Sequence, residues 1–598
     1  MMRIPLLGAS TLALALVIHA PASAAPLTAP ADGPTIRTVA PVKSFLVAGA
    51  DDVSGLIEKF QKTPLWAMWK SDTMQSAMGD AIKEFETSRD ERMKALGLPA
   101  DTLSWPTMAG LALYGEKNEE LDVMEPQFVL LADWGEGADK MGAFFDAMVA
   151  EQAKKFPESV RSKEFRGHKG SIVRIAGDGK DGDPRRFRMR GGPEELAAGM
   201  DSIREVIYVR AGNHFLLTSS ESGAEEALVA LEAPPAKQID GEEDFRGARD
   251  FLGESDAYAI LRTGPMQPLV DEAMGGPLAM IQPMLTQLFG DIQGFAFGLN
   301  VDGKLGMVET SAGIYVPGDK VGLLSLPTAA TPATAPALVP QDAIGYSRMG
   351  VAFKDLMKVV GGVVSNLPEA QAQELEPMLQ QYGPVLSKAF DALGPDVHVF
   401  TTVTQPVNME SERTTVAVSC SGEQNVLPLI NLFGPTLGME PRDFNGQTIF
   451  SGEGVPVSVG FGRGAMIMGP TASVEQALRG TDAEAPQRGP AEKAAMDVIG
   501  SSPAICWGWH DTVAGLDVAR QQMKLMEAES EGADGFMEDE QKAIQDAVGV
   551  KSPVKYDLLM KAMEPSFSAK YLGPQAWTLR PEPRGFMYRA ILLRPAGQ

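Results

Sequence analysis

Histidine, cysteine and aromatic side chains are scarce in this chain. Of 598 residues, five are His and two are Cys, and aromatics make up 7%. Few histidines leave few ways to build acid–base or metal-binding clusters. The two cysteines, Cys420 and Cys506, make no zinc site by themselves. In an oxidising compartment they can pair. A disulfide needs Cα atoms within about 7 Å, and sequence leaves a bridge and two buried thiols both open. Cations are also in deficit. Lys and Arg number 53 against 78 Asp and Glu, for a net charge of −25. Nucleic-acid binding rests on cations that displace counterions, so a nucleic-acid partner is excluded. Such a charge favours solubility and cationic partners. No G-x-S-x-G elbow, H-E-x-x-H or C-x-x-C occurs. No catalytic residue, metal ligand or cofactor is assigned.

Long apolar runs are missing after the N-terminus. At the start, Arg3 precedes an apolar stretch from Leu6 to about Ile18, and Ala22-Ser23-Ala24 follows. This is the pattern of a cleavable signal peptide over residues 1–24. Its apolar part falls short of the roughly 20 residues of a permanent span, and no cysteine stands near the cleavage site to take a lipid. The expectation is an exported protein, periplasmic or extracellular, with no transmembrane segment after signal removal.

Self-similarity then organises the chain. Residues 206–228 read strand, turn at Gly212-Asn213, strand and helix, and residues 457–478 repeat that order around Arg463-Gly464. Ser222 with Glu225, and Ser473 with Gln476, have capping-box spacing. A strand over 127–134 leads to Met141, Phe144, Phe145 and Met148, at the spacing of one buried helix stripe. A strand over 414–421 leads to Val426, Leu429, Ile430 and Phe433 in the same way. Phe165-Arg166-Gly167 aligns with Phe444-Asn445-Gly446, and Phe251-Leu252-Gly253 with Val498-Ile499-Gly500. These blocks, in one order, predict an α+β fold: two tandem copies of a largely antiparallel sheet with helices packed on one face. The expected limits are a Pro/Ala-rich linker at 25–41, copy one at 42–326, a stiff Pro/Ala/Thr linker at 327–340, and copy two at 341–598. A groove between the copies is a further expectation.

The remaining candidates are few. Arg185, Arg186, Arg188 and Arg190 alternate and could grip a carboxylate or phosphate; the plainer reading is a charged edge strand. Asp178, Asp181 and Asp183 hint at a calcium loop but lack its closing glutamate. His510, between Trp509 and Asp511, is the best general-base candidate, although on a strand Asp511 points to the opposite face. His168, His214 and His398 read as structural or solvated. Methionines in helix stripes, among them Met523 and Met526, fill cores or line a pliable groove.

Ile57-Glu58-Lys59-Phe60-Gln61-Lys62-Thr63-Pro64 and Val339-Pro340-Gln341-Asp342, leading into Phe353-Lys354-Asp355-Leu356, carry a resemblance. In layout the chain resembles large exported bacterial proteins grouped as domains of unknown function. The resemblance implies export and an α+β repeat, and carries over no catalytic residue. The sequence therefore points to an exported, non-catalytic binding or structural protein whose partner is an unknown envelope component or an apolar ligand. Two alternatives are a carrier of an apolar ligand and an exported hydrolase using paired carboxylates.

Overall fold

Short apolar runs punctuated by glycine become strands throughout the chain. The computed structural model describes residues 33–118, 122–174, 205–233, 235, 237–274, 285–365, 367, 369–452, 454–479, 489–530 and 556–597. Among them run β1 Ser44–Ala50, β2 Met108–Asn118, β3 Val123–Asp133, β4 Val160–Phe165, β5 His168–Arg174, β6 Glu205–Ala211, β7 His214–Thr218, β8 Ala257–Arg262, β9 Gly294–Val301 and β10 Val308–Tyr315. They are followed by β11 Gly345–Gly350, β12 Leu393–Val403, β13 Glu412–Cys420, β14 Glu440–Phe444, β15 Gln447–Ser451, β16 Ser458–Gly462, β17 Ala465–Gly469, β18 Cys506–His510, β19 Gln575–Glu582 and β20 Gly585–Leu592. The fold is α+β.

The chain divides into two compact units. The first holds the described residues up to 274 with 293–302 and 556–559; the second holds 285–292, 303–530 and 560–597. The first unit is an antiparallel sheet in the order β9-β8-β1-β2-β3-β7-β6-β5-β4. The second contains β19-β18-β11-β12-β13-β17-β16-β15-β14, also antiparallel. Strand by strand, the two orders correspond. The second unit adds β20 beside β19 and β10 beside β20.

Turn chemistry corresponds as well. The β4–β5 turn places Arg166 and Gly167 at φ 49° and 82°, and the β14–β15 turn places Asn445 and Gly446 at 55° and 79°. Both are left-handed pairs suited to two-residue hairpins. The first-unit helix Glu221–Glu232 is capped by Ser220, whose side chain accepts from Gly223 N. This is two residues earlier than the Ser222 cap expected. Ser473 likewise lies inside the helix Thr471–Arg479 and is buried.

Helices cover both faces of each sheet, which corrects the expectation of one covered face. In the second unit Ile467 is buried with Val474, Ala477 and Leu478. Its neighbours Met466 and Met468 pack against Val426, Leu429 and Ile430. Adjacent strand residues point to opposite faces, so the helices Thr471–Arg479 and Glu423–Phe433 lie on opposite sides. In the first unit Ala109, Leu130 and Ala132 meet Met141, Phe144 and Phe145 of the helix Ala138–Lys155. Tyr114, on the other face, abuts Gly223 in the helix Glu221–Glu232. Two-sided burial explains why strands such as Phe128-Val129-Leu130-Leu131-Ala132 are apolar throughout rather than alternating.

The two stretches read as extended linkers are packed where they are described. Ala335, Leu338 and Val339 are buried with Tyr346, Phe400, Trp507 and Trp509. Ala335 N donates to Glu492 Oε1 at 2.9 Å, and Trp507 Nε1 donates to Ala333 O at 3.3 Å. Ahead of β1, Ile36, Val39 and Ala40 are buried too. Alanine and proline make these segments thin enough to lie flat on an apolar sheet face, which composition alone reads as stiffness.

Candidate functional site

The candidate site is a cleft of about 260 Å³ in the first unit, lined by Arg37, Asp51, Arg249, Leu252, Gly253, Glu254, Ser255 and Tyr258. Four pieces of chain build it. Arg37 stands on the helical turn Ile36–Val39, whose Ile36 side chain presses on the sheet where Gly49 and Gly110 leave room. A Cβ on Gly110 would run into Ile36, so that glycine is required by close approach. Asp51 follows the end of β1. Tyr258 comes from β8, opposite Gly49. Arg249, in the last turn of the helix Glu243–Asp250, precedes the turn at Gly253, which holds φ 60°.

Charge is organised in pairs. Arg37 NH2 hydrogen-bonds Asp51 Oδ2, and the Tyr258 hydroxyl donates to Asp51 Oδ1 at 3.4 Å. The Arg37 guanidinium lies over the Tyr258 ring, 5.5 Å from its centroid. Burial, with the Asp51 charge beside it, pushes the Tyr258 phenol well above its usual range. Arg249 NH1 is 3.0 Å from Asp240 Oδ1 and its NH2 is 4.0 Å from Asp250. Asp240 Oδ1 is nonetheless buried without a hydrogen-bond partner among the described residues. Glu254 is exposed at the rim. Two guanidiniums, two carboxylates and one phenol thus converge on a space the size of a small molecule.

The residues singled out in the sequence lie elsewhere. Arg185, Arg186, Arg188 and Arg190, with Asp178, Asp181 and Asp183, fall outside the described residues. Cys420 and Cys506 are free thiols. They sit on β13 and β18, which β11 and β12 separate. Three strand spacings, about 14 Å, exceed the roughly 7 Å a bridge allows, which corrects the disulfide candidate. Burial raises the Cys506 thiol to about 11.

The histidines are scattered. His510 is pressed against Gly515, and burial lowers its pKa despite the Asp511 and Glu412 charges. Asp511 does not orient it: its Oδ1 accepts from Ala514 N at 3.0 Å and so caps a helix. His398 Nδ1 is 3.0 Å from the Tyr346 hydroxyl, with the two rings stacked. His214 Nε2 stands 3.6 Å from Asp133, and His168 Nε2 4.0 Å from Glu232. Among the described residues no group of three or more His, Cys, Asp or Glu side chains gathers as metal ligands would. No described helix is long and apolar enough to cross a membrane.

Sequence reading assigned a site role to no residue of the cleft. Arg37 was hidden in a stretch read as linker. Arg249, Glu254 and Tyr258 belong to no motif. The sequence signal nearest the site is the block Phe251-Leu252-Gly253, whose Gly253 holds a left-handed turn at the cleft. Comparison with protein-family models, with curated proteins and with solved structures finds no match to this chain.

Proposed function

We propose that this chain is an exported, non-catalytic binding protein of the cell envelope, and that the cleft beside Tyr258 seats a small polar ligand. The observation that carries the reading is the convergence of Arg37, Asp51, Arg249, Glu254 and Tyr258 on one cleft of about 260 Å³. Export rests on the N-terminal sequence pattern. We also propose that the two units are copies of one ancestral module, supported by their corresponding strand orders and hairpin turns.

The test begins with the mature protein isolated from its native envelope and mass spectrometry of what it releases on denaturation. A polar compound of a few to about fifteen heavy atoms is expected, and adding it back should raise the melting temperature. Arg249→Met should abolish that rise. Turnover of the compound in place of binding would overturn the non-catalytic reading, and Asp51 and Glu254 would then be the carboxylates to replace.

A second reading, an apolar-ligand carrier, draws on the helix Phe353–Val364. Its apolar residues Phe353, Leu356, Met357, Val360, Val363 and Val364 are all only half-buried. Release of a fatty acid or other lipid in the same experiment would favour it.

A further inference from the structure

We infer that the cleft is built for a small zwitterion, a carboxylate and an ammonium held a few bonds apart, which is the chemistry of an α-amino acid. The inference rests on the binding reading above and names its ligand class. The first argument is charge balance. Arg37 and Arg249 are matched in the lining by Asp51 and Glu254. A simple anion would meet two carboxylates there, and a simple cation two guanidiniums. A ligand carrying both charges meets a partner for each.

The second argument is which groups are already committed. Arg37 and Asp51 hydrogen-bond each other, and Arg37 also lies on the Tyr258 ring. That pair is a fixed wall. Arg249 meets Asp240 through NH1 at 3.0 Å, and among the described residues no hydrogen bond engages its Nε or NH2, the latter lying 4.0 Å from Asp250. The Nε–NH2 edge of its planar fork therefore remains for a ligand, and a carboxylate is the group that fits such an edge bidentately. Glu254 is exposed and makes no ion pair among the described residues, so its oxygens remain to accept from an ammonium. Arg249 and Glu254 sit on either side of the Gly253 turn, which presents a donor fork and an acceptor to one ligand.

The third argument is size. A cleft of about 260 Å³ takes a free amino acid or the terminal residues of a short peptide. Both sources share the zwitterionic chemistry, and the test separates them.

The test is isothermal titration of the mature protein with a matched panel. The panel holds alanine and leucine, dialanine, propionate, ethylamine and glycerol. Alanine or leucine should bind at least about tenfold tighter than both propionate and ethylamine. Arg249→Lys keeps the charge and removes the fork, and should weaken amino-acid binding about tenfold. Glu254→Gln should leave the amino acid no better than propionate. Dialanine binding as well as alanine assigns the peptide source; dialanine binding more weakly assigns the free amino acid. Unchanged melting curves for both variants show that lost affinity is not lost folding.

Propionate binding as tightly as alanine, or full affinity in Glu254→Gln, overturns the zwitterion. Glycerol binding alone, with loss in Arg249→Met, overturns the zwitterion but leaves the cleft a binding site. Failure of every panel compound, with nothing released from the native protein, overturns both readings.

Discussion

One row of three strands is furnished differently in the two units. In the first unit the row is Tyr258 on β8, Gly49 on β1 and Gly110 on β2. In the second it is Trp507 on β18, Arg348 on β11 and His398 on β12. Both aromatic rings carry an arginine, Arg37 over Tyr258 at 5.5 Å and Arg348 over Trp507 at 4.8 Å. Both arginines pair with an aspartate, Asp51 and Asp396. The source of the arginine differs. Arg348 grows from the sheet itself, is 3% exposed, and donates to the carbonyls of Ile505 and, at 3.5 Å, Thr328. Arg37 arrives from outside the sheet, on a turn admitted by two glycines. The same cation–aromatic contact is a sealed core element in one unit and the wall of a cleft in the other. A cleft thus arises here where the sheet carries glycines and a covering segment supplies the cation.

The sharpest way to break this comparison is to fill the glycine hollow. Gly110→Val puts a branched side chain where Ile36 packs and should cost about 3 kcal/mol, read by chemical denaturation. The cleft should be lost with it. A change within about 0.5 kcal/mol, the range of an ordinary surface substitution, would show that the covering turn does not depend on the glycines.

The next effect separates the two arginines. Arg348→Met strands a buried backbone acceptor and Asp396, and should cost about 2 kcal/mol. Arg37→Met removes a half-exposed pair and should cost about 1 kcal/mol or less. Equal losses would dissolve the distinction between core element and cleft wall.

The smallest effect is on pH dependence. Burial lowers the pKa of His398 and of His510 from the ordinary 6.5. The unfolded chain then binds protons that the native one refuses. Stability is full above about pH 7 and declines as pH falls through 6.5 toward the depressed native values. The first-unit row has glycine where His398 stands, so His398→Leu should flatten part of that decline, seen as melting temperature between pH 7 and 5. An unaltered slope would assign the decline to other groups.

Much of the strand and helix layout was legible beforehand. The hairpins around Gly212 and Arg463-Gly464 followed from turn chemistry, because left-handed backbone restricts which residues stand there, whereas Arg166-Gly167 and Asn445-Gly446 were read only as aligned blocks, and the structure makes both of them hairpin turns. The stripe Met141, Phe144, Phe145 followed from helical period. Covering of both sheet faces was signalled by continuous apolar runs such as 128–132, yet a run of that length also fits a buried helix segment. The site was not legible. Arg37, Asp51, Arg249 and Tyr258 are far apart in sequence, and each is an ordinary residue in its own segment.

Sequence by itself determined local conformation: where the chain turns, which stretches are strands, and which helix stripes seek burial. Those are short-range consequences of backbone sterics and apolar period. Only the tertiary structure decided that proline-rich stretches lie on the sheets, that Cys420 and Cys506 stay three strands apart, and that two guanidinium–carboxylate sets meet at Tyr258. Those outcomes depend on which surfaces come to face each other, and composition carries no record of that.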